Sequence, residues 1–258
     1  MLSVAGAGVV VTGAGSGIGA ALARRFAAEG ARVIVNDIDA VAASAVAASC
    51  GAIAMPGDAA SEEGVASLVQ GAADELDGID MFCANAGVAR GASDAATEAD
   101  WAASWQVNVM AHVRAARQLL PGWLERGSGH LICTVSAAGL LTMLGSAPYS
   151  ATKHAALGFA EWLAASYAHR GITVQALCPM GVRTAMLDGT SPAAEIILGD
   201  TAITAEEVAG AVVAGIEAGS FLILPHPEVA RMYAGRATDT DRWLRGMNRL
   251  QTRVEAAG

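Results

Sequence analysis

Short apolar runs rich in β-branched residues alternate along the chain with longer segments in which apolar positions recur at helical spacing. The runs predict seven β-strands, at 8–13, 31–37, 52–56, 78–87, 129–136, 172–179 and 220–224. The segments between them predict helices at 18–30, 39–49, 62–77, 97–125 (one or two helices), 149–170 and 204–217. Strands and helices that alternate in this way form a parallel sheet with helices on both faces. The pattern therefore predicts a doubly wound α/β fold with a seven-stranded parallel sheet.

We expect one domain over residues 1–258, because no linker, repeat or shift in composition divides the chain. The segment 185–203 is long and contains glycine and proline, as a mobile lid over a substrate would. The tail at 225–258 carries more charge than the rest of the chain, which predicts a surface or interface segment.

Composition narrows the function classes. Apolar residues make up 53% of the chain and charged residues 16%, as in a globular protein. The net charge of −9 argues against a nucleic-acid partner. The uncharged stretch 2–23 is rich in glycine and lacks a basic flank, so we expect no membrane span. The widely spaced cysteines form no CxxC pair, which argues against a metal site, and without a signal peptide they point to the cytoplasm.

A glycine-rich turn, "TGAGSGIG" at 12–19, stands between the first strand and the first helix. In that position backbone N–H groups and a helix N-terminus converge on one point, which suits a pyrophosphate. The turn therefore predicts a dinucleotide site, formed by Gly13, Ser16, Gly17, Ile18 and Gly19.

An acidic residue closes the second strand. Asp37 lies 18 residues after Gly19, near the interval at which a carboxylate meets the adenosine ribose. That carboxylate would repel a 2′-phosphate, and neither Asn36 nor Ile38 beside it is basic. The cofactor predicted is NAD rather than NADP. The alternative is that Asp37 caps the next helix, for which Asp39 is an equally good candidate.

The 16 basic residues include a single lysine, Lys153, which follows Tyr149 by four positions. On a helix these two positions lie on one face. The glycine spacing G-x-x-x-G-x-G and this Tyr-x-x-x-Lys together resemble the short-chain dehydrogenase/reductase family, over nearly the whole chain. The resemblance implies a Rossmann-type fold and a catalytic set of Asn108, Ser136, Tyr149 and Lys153.

The resemblance also implies a role for each member of that set. Tyr149 is the base that takes the proton of an alcohol, and Ser136 hydrogen-bonds the substrate oxygen. Lys153 holds the nicotinamide ribose and lowers the pKa of Tyr149, while Asn108 orders a water. A positive charge about 5 Å away at an effective dielectric near 20 favours the phenolate by about 3 kcal/mol. We therefore expect Lys153 to supply most of the shift that a tyrosine base needs near neutral pH.

Further family motifs imply cofactor contacts. "CANAG" supplies Asn85 and Gly87, with Ala84 where the family has a first Asn, and "GDAA" supplies Asp58 and Ala59 near the adenine.

"PMGVRT" supplies Pro179, Val182 and Thr184. Met180 takes the place of a family glycine, and it either alters the backbone beside the nicotinamide or projects into the substrate pocket.

The substrate is expected between the 136–149 segment and the loop after Thr184. Both segments are apolar, with Leu140, Leu141, Met143, Leu144, Met186, Leu187, Ile196 and Ile197. We predict substrate contacts from Ser136, Leu140, Met143, Tyr149, Met180, Met186 and Leu187. A hydrophobic alcohol or ketone fits such a pocket, whereas a charged sugar or nucleotide is disfavoured because Arg183 is the only basic residue near either segment. The alternative is that several of these residues pack inside the fold.

The function predicted is an NAD-dependent oxidoreductase that interconverts a hydrophobic secondary alcohol and its ketone. The alternatives are an NADPH-dependent ketoacyl-type reductase of the same family, a catalytically silent NAD-binding sensor and a methyltransferase on a similar sheet. The family resemblance implies a homotetramer or homodimer, in which Trp101 and Trp105 belong either to the interface or to the core. The five histidines are expected at the surface or as capping groups.

Overall fold

A computed structural model describes residues 3–92, 95–188 and 201–256. Seven strands form one sheet: β1 Gly8–Val11, β2 Arg32–Val35, β3 Ile53–Ala54, β4 Met81–Ala84, β5 Gly129–Thr134, β6 Ile172–Leu177 and β7 Leu222–Ile223. The helices before β6 are α1 Gly17–Ala28, α2 Ala40–Cys50, α3 Glu62–Leu76, α4 Glu98–Trp105, α5 Ala111–Arg126, α6 Ala138–Leu141 and α7 Ala147–Tyr167. Those after β6 are α8 Ala185–Asp188, α9 Ala205–Ala218, α10 Glu228–Thr238 and α11 Thr240–Glu255.

The sheet has the order β3-β2-β1-β4-β5-β6-β7, and every neighbouring pair is parallel. The predicted doubly wound α/β fold is confirmed. After β3 the chain crosses to the other side of β1, so the order reverses between β1 and β4. A reversal of this kind opens a crevice at the carboxyl ends of the two strands, which is where ligands bind in such sheets.

Each face of the sheet carries its own apolar core. Val10 packs on the face covered by α3, α5 and α7, where Trp123 and Leu163 are buried. Val9 packs on the opposite face, which α1, α2 and α9 cover and where Phe26 is buried. Strands buried on both faces have continuous apolar runs, and this is why their positions could be predicted.

The strands end earlier than predicted, because the polar residues that follow them leave the sheet. β1 ends at Val11 rather than at 13, and β5 ends at Thr134 rather than at 136. Thr12, Asp37 and Ser136 therefore lie at the carboxyl edge of the sheet, where their side chains are free of the strand pleat. A π-helix at Gln106–Met110 joins α4 to α5, and the short helices α6 and α8 were not predicted.

The histidine prediction is wrong for three of the five residues. His112, His130 and His226 are buried at 1%, 3% and 2% exposure. They lie on α5, on β5 and before α10, where packing on the sheet and on neighbouring helices covers them.

Cys83, Cys133 and Cys178 are buried free thiols. Trp101 and Trp105 on α4 are 37% and 45% exposed, so the alternative that they belong to the core is wrong. None of the helices described is both long and apolar enough to cross a membrane.

Candidate active site

A cleft of about 760 Å³ opens over the carboxyl edge of the sheet. Its walls come from the glycine turn after β1, the segments after β2, β4, β5 and β6, and helices α7, α8, α10 and α11. It brings together every residue predicted to bind the cofactor: Gly13, Ser16, Gly17, Ile18, Gly19, Asp37, Asp58, Ala59, Asn85, Gly87, Tyr149, Lys153, Pro179, Val182 and Thr184.

The glycine turn is held in shape by close internal contacts. A Cβ at Gly13 would lie 2.8 Å from the Cα of Ala86, and one at Gly19 would lie 2.2 Å from the carbonyl oxygen of Gly13. Ser16 precedes α1, but its side chain makes no capping hydrogen bond. The first N–H groups of α1 are therefore not satisfied by a side-chain cap, and they face a site where a pyrophosphate would satisfy them.

The carboxylate of Asp37 stabilises the same turn through a hydrogen bond. Its Oδ2 accepts a hydrogen bond of 2.8 Å from the N–H of Gly15, and its Oδ1 accepts one of 3.0 Å from the N–H of Asp39. Asp39, not Asp37, caps α2, with its Oδ1 accepting from Val41 and Ala42. Asp37 is thus not needed as a cap, and each of its oxygens keeps a lone pair for a ligand hydroxyl.

The cleft beside Asp37 is acidic and polar. Asp58 closes a turn by accepting from the N–H of Ala60 at 2.8 Å. Asn36, which was not predicted as a site residue, donates from Nδ2 to the carbonyls of Met55 and Gly57. Its buried Oδ1 accepts no hydrogen bond from the residues that the structure describes. A buried acceptor without a partner is rare in folded proteins, and this one belongs to a residue that lines the cleft beside Asp37.

Asn85, which follows β4, is hydrogen-bonded to residues at the ends of β1 and β5. Its N–H donates to Thr12 Oγ1 at 3.0 Å, its Nδ2 donates to the Thr12 carbonyl at 3.0 Å, and its Oδ1 accepts from Thr134 Oγ1 at 3.0 Å. All of these partners are protein groups, so Asn85 positions the turn. Gly87, two residues on, lies so close to Lys153 that a Cβ there would be 3.5 Å from Nζ.

Tyr149 and Lys153 lie on one face of α7, one turn apart. Lys153 is 2% exposed, and its Nζ donates to the Thr134 carbonyl at 2.9 Å and lies 5.5 Å from the centroid of the Tyr149 ring. Burial lowers the pKa of Lys153 to about 8. The helix is started here by Ser146, whose Oγ accepts from the Tyr149 N–H at 3.4 Å.

Ser136 completes the cluster. Its Oγ accepts from the N–H of Ala138 at 3.1 Å and donates to the Pro179 carbonyl at 3.4 Å. Burial raises the pKa of Tyr149, and a hydrogen bond from Ser136 lowers it in part. The expected lowering of this pKa by Lys153 stays a prediction.

Asn108 lies behind the cluster rather than in the cleft wall. It is fully buried in the π-helix, where its Oδ1 accepts from the N–H of Val88 at 2.9 Å. Its Nδ2 donates to the Val88 carbonyl at 2.9 Å and to Thr152 Oγ1 at 3.1 Å. Asn108 thereby anchors the segment after β4 to α7, and its water-ordering role stays a prediction.

Most of the predicted substrate contacts lie in the cleft wall: Ser136, Met143, Tyr149, Met180, Met186 and Leu187. Leu140 does not. It is 1% exposed and packs in the core, whereas Leu141 lines the cleft. The reason is α6, whose helical turn rotates Leu140 inward. Ile196 and Ile197 lie outside the described residues.

Met180 lines the cleft, so its side chain projects into the pocket. Its N–H donates to Nδ1 of His226 at 3.2 Å, and Nε2 of the same ring pairs with the Thr201 carbonyl at 3.2 Å. The neutral tautomer of His226 with the proton on Nε2 satisfies both contacts. This buried ring thus joins the segment after β6 to residue 201.

The tail forms part of the cleft wall, which its surface or interface assignment did not foresee. Met232 on α10 and Trp243, Met247 and Leu250 on α11 all line the cleft. The last three recur at helical spacing within an otherwise charged segment, and that spacing is the one sequence pattern that could have revealed them.

The exposed basic residue that lines the cleft is Arg90, and not Arg183, which is the basic residue nearest to the apolar segments in the sequence. Arg90 lies three residues after Gly87. Within the part of the chain that the structure describes, no group of three or more His, Cys, Asp and Glu side chains is arranged to hold a metal ion.

Comparison with known proteins agrees with this arrangement. A family model for short chain dehydrogenases matches residues 7–195. The 1-deoxy-11-beta-hydroxypentalenate dehydrogenase of Streptomyces exfoliatus is 41% identical over 213 residues, 79% of this chain and 77% of that protein. Epidermal retinol dehydrogenase 2 of Mus musculus is 33% identical over 197 residues, 72% of this chain and 64% of that protein.

Two solved structures show the same fold. A short chain dehydrogenase/reductase from Burkholderia phymatum in complex with NAD superposes with a TM-score of 0.84 at 28% identity, over 93% of this chain and 96% of that one. The 3-ketoacyl-(acyl-carrier-protein) reductase of Brucella melitensis complexed with NADH superposes with a TM-score of 0.79 at 27% identity, over 86% and 96%.

Proposed function

The chain belongs to the short chain dehydrogenase family, and on that premise we propose that it interconverts a hydrophobic secondary alcohol and its ketone with NAD as cofactor. The observation that carries the proposal is the convergence of Ser136, Tyr149 and Lys153 at one end of a long cleft. Two separate elements supply these side chains: the segment after β5 carries Ser136, and successive turns of α7 carry Tyr149 and Lys153. A binding sensor would not need this set.

The residues around the glycine turn fit a dinucleotide. The N–H groups at the start of α1 would hold the pyrophosphate, and the free lone pairs of Asp37 would accept from the adenosine ribose hydroxyls. The described lining residues around Asp37 include no Arg or Lys to pair with a 2′-phosphate. These features support NAD over NADP.

The chain's own groups then divide the proton chemistry. The Ser136 hydroxyl turns its one proton from the Pro179 carbonyl, 3.4 Å away, to the substrate oxygen, and Tyr149 takes the alcohol proton. Lys153, fixed by the Thr134 carbonyl, holds the nicotinamide ribose and keeps a positive charge beside the tyrosine. Bound NAD would supply the hydride acceptor and a second positive charge near Tyr149. Together with Lys153, that second charge would offset the cost of burying the phenolate.

The apolar end of the cleft supports a bulky alicyclic substrate. Met143, Met186, Trp243 and Met247 present large, adaptable surfaces there. The relative from Streptomyces exfoliatus carries hydroxypentalenate in its name and the mouse relative carries retinol. We therefore take a hydroxylated, terpenoid-type ring compound as the substrate class of this chain.

The proposal includes assembly into a homodimer or homotetramer in a reducing compartment such as the cytoplasm. Trp101, Trp105 and Trp162 are 37%, 45% and 55% exposed on α4 and α7, and surfaces of this kind commonly pack against another subunit. The free state of all four cysteines supports the compartment.

The function is tested by NADH and NADPH binding and by NADH formation on a panel of one-, two- and three-ring secondary alcohols. We expect NADH to bind more tightly and at least one multi-ring alcohol to be oxidised. In Tyr149→Phe, turnover should fall by about a hundredfold or more, the usual worth of a general base, with NADH affinity within a few-fold of the wild type.

Tyr167→Phe is the matched control, because Tyr167 ends the same helix and packs edge-on against Trp162. It should keep full turnover. Unimpaired oxidation by Tyr149→Phe would overturn the mechanism. NADPH-dependent reduction of a β-ketoacyl thioester, without oxidation of any ring alcohol, would favour the ketoacyl reductase that one solved neighbour represents.

A further inference from the structure

Charge is divided unevenly along the cleft. The carboxylates that line it, Asp37 and Asp58, both lie at the end assigned to the adenosine. The described cations that line it are Lys153, which is buried and bonded to Thr134, and Arg90. Arg90 thus places one positive charge at the end where the substrate binds, against an otherwise apolar wall.

Two hydrogen-bonded anchors fix the segment that carries Arg90. Val88 is held by two bonds of 2.9 Å to Asn108, and the Gly91 carbonyl accepts a bond of 3.1 Å from Ser146 Oγ. Ser146 is the residue that starts α7, three positions before Tyr149. The segment that carries Arg90 is therefore fixed on one side by Asn108 and on the other side by Ser146, the residue that starts α7.

Arg90 follows Gly87, a residue that lies close to Lys153, by only three positions in the chain. A Cβ at Gly87 would lie 3.5 Å from Lys153 Nζ, and three residues of extended chain span at most about 10 Å. The Cα of Arg90 is thus within about 10 Å of that of Gly87. Because Tyr149 and Arg90 line the same cleft, one bound molecule can contact both.

The guanidinium of Arg90 is available. Arg90 is exposed, and it makes no hydrogen bond or ion pair with any residue in 3–92, 95–188 or 201–256. Among the described acids, Asp100 interacts with the charge of Arg90, and its Oδ2 already accepts from the N–H and the hydroxyl of Thr97. A guanidinium presents five N–H donors in a planar fork, and no residue in the described part of the chain accepts from those of Arg90.

We propose that the substrate carries a carboxylate and that Arg90 binds it at the mouth of the cleft. The inference rests on the proposed function and narrows its substrate to a ring compound with an alcohol or ketone at one end and an acid at the other. A planar guanidinium matches the two oxygens of a carboxylate. A single arginine offsets a single charge, which fits a carboxylate better than a doubly charged phosphate.

A second feature supports an anionic substrate independently. Beside the apolar stripe that α11 turns to the cleft runs a stripe of four exposed arginines: Arg242, Arg245, Arg249 and Arg253. The chain as a whole has a net charge of −9, so this is a local reversal of sign next to the cleft. Positive charge placed at a cleft mouth raises the rate at which anions enter.

The test compares Arg90→Gln with the wild type on paired ligands. The ligands are alicyclic hydroxy acids of one to three rings and their methyl esters, which differ only in the charge. In the wild type each turned-over acid should have a lower KM than its ester. In Arg90→Gln the KM of the acid should rise about five- to tenfold, the usual worth of a partly exposed charge-assisted bond, while the KM of the ester stays constant.

Arg170→Gln is the matched control, because Arg170 is exposed just before β6, at the opposite edge of the sheet. It should leave both KM values unchanged. An acid preference that survives in Arg90→Gln, or a wild type that prefers the esters, would overturn the proposal.

Equilibrium binding separates this proposal from the proposed function. The hydroxyl-free ring acids and their esters are titrated into the complex of the enzyme with NADH, so no turnover is needed. An acid preference that Arg90→Gln abolishes supports the carboxylate subsite even if no alcohol on the panel is oxidised. Equal binding of acid and ester by the wild type excludes the subsite even if the alcohols are turned over.

Discussion

The backbone of Ser136 has a φ of 141°, a region that residues with a side chain rarely adopt. Ser136 is the second residue after β5, and its Oγ is fixed by Ala138 and Pro179 from two directions. Strain of this kind persists only where surrounding contacts determine the conformation. Here those contacts hold the oxygen that the proposed mechanism directs at the substrate.

The proposed preference for NAD also depends on a single residue, Asp37. In Asp37→Ala we expect NAD affinity to fall about tenfold or more, because hydrogen bonds from the ribose to a charged acceptor are lost. The affinity for NADP should fall less, because the substitution also removes the carboxylate that repels the 2′-phosphate. The ratio of kcat/KM for NAD to that for NADP measures the change.

Asp39→Ala provides the comparison for that variant. Asp39 caps α2 and accepts from Val41 and Ala42, so its loss should cost about 1 kcal/mol in unfolding free energy. Because Asp39 does not line the cleft, the NAD-to-NADP ratio should not move. A ratio that stays the same in Asp37→Ala would remove Asp37 from the cofactor site.

At the scale of the element, helix α11 forms one wall of the cleft. Trp243→Ala should raise the KM of a three-ring alcohol about tenfold, because about 1–2 kcal/mol of apolar contact is lost. A small open-chain alcohol that does not reach the wall should keep its KM. Steady-state kinetics on the two substrates measure the difference.

The adjacent residue on α11 is a suitable control. Leu244 is 58% exposed and does not line the cleft, so Leu244→Ala removes a side chain of the same helix without touching the substrate. If the two variants change the KM of the three-ring alcohol equally, the effect belongs to helix stability and not to the wall.

The elements also show how far the sequence could be interpreted. The buried strands and the glycine turn were predictable, because their patterns are local and need particular residues. Leu140 was placed wrongly because α6, at four residues, is too short to show a period. Trp243 and Arg90 were missed because their places in the cleft depend on how α11 and the segment after β4 pack on distant parts of the chain.

At the scale of the whole molecule, buried histidines couple folding to pH. Burial lowers the pKa of His130 to about 4, although its hydrogen bond to Gln175 opposes the shift, and burial lowers the pKa of His112 to about 3. An unfolded histidine takes a proton near pH 6.5, whereas these two stay neutral in the fold. The free energy of unfolding should therefore fall as the pH drops from about 6.5 towards 4.

His112→Leu tests that coupling. Neither ring nitrogen of His112 makes a well-formed hydrogen bond with the described residues, although the Ala84 carbonyl lies close, so an apolar side chain should be tolerated at pH 7. Between pH 7 and 4.5 the variant should lose about 2–3 kcal/mol less unfolding free energy than the wild type. Urea unfolding at the two pH values measures this. Equal losses in the two proteins would show that folding does not lower the pKa of His112.

The single lysine of the chain has a consequence outside catalysis. Lys153 is the only side-chain amine, and it is buried at the point where the proposed chemistry takes place. Every surface cation among the residues described is an arginine or a histidine, which acetyl groups, ubiquitin and other acylating modifications do not target. A cell therefore cannot acylate a lysine of this chain as a neutral mark on its surface. Acylation of its one lysine side chain would have to take place inside the cleft, beside Tyr149.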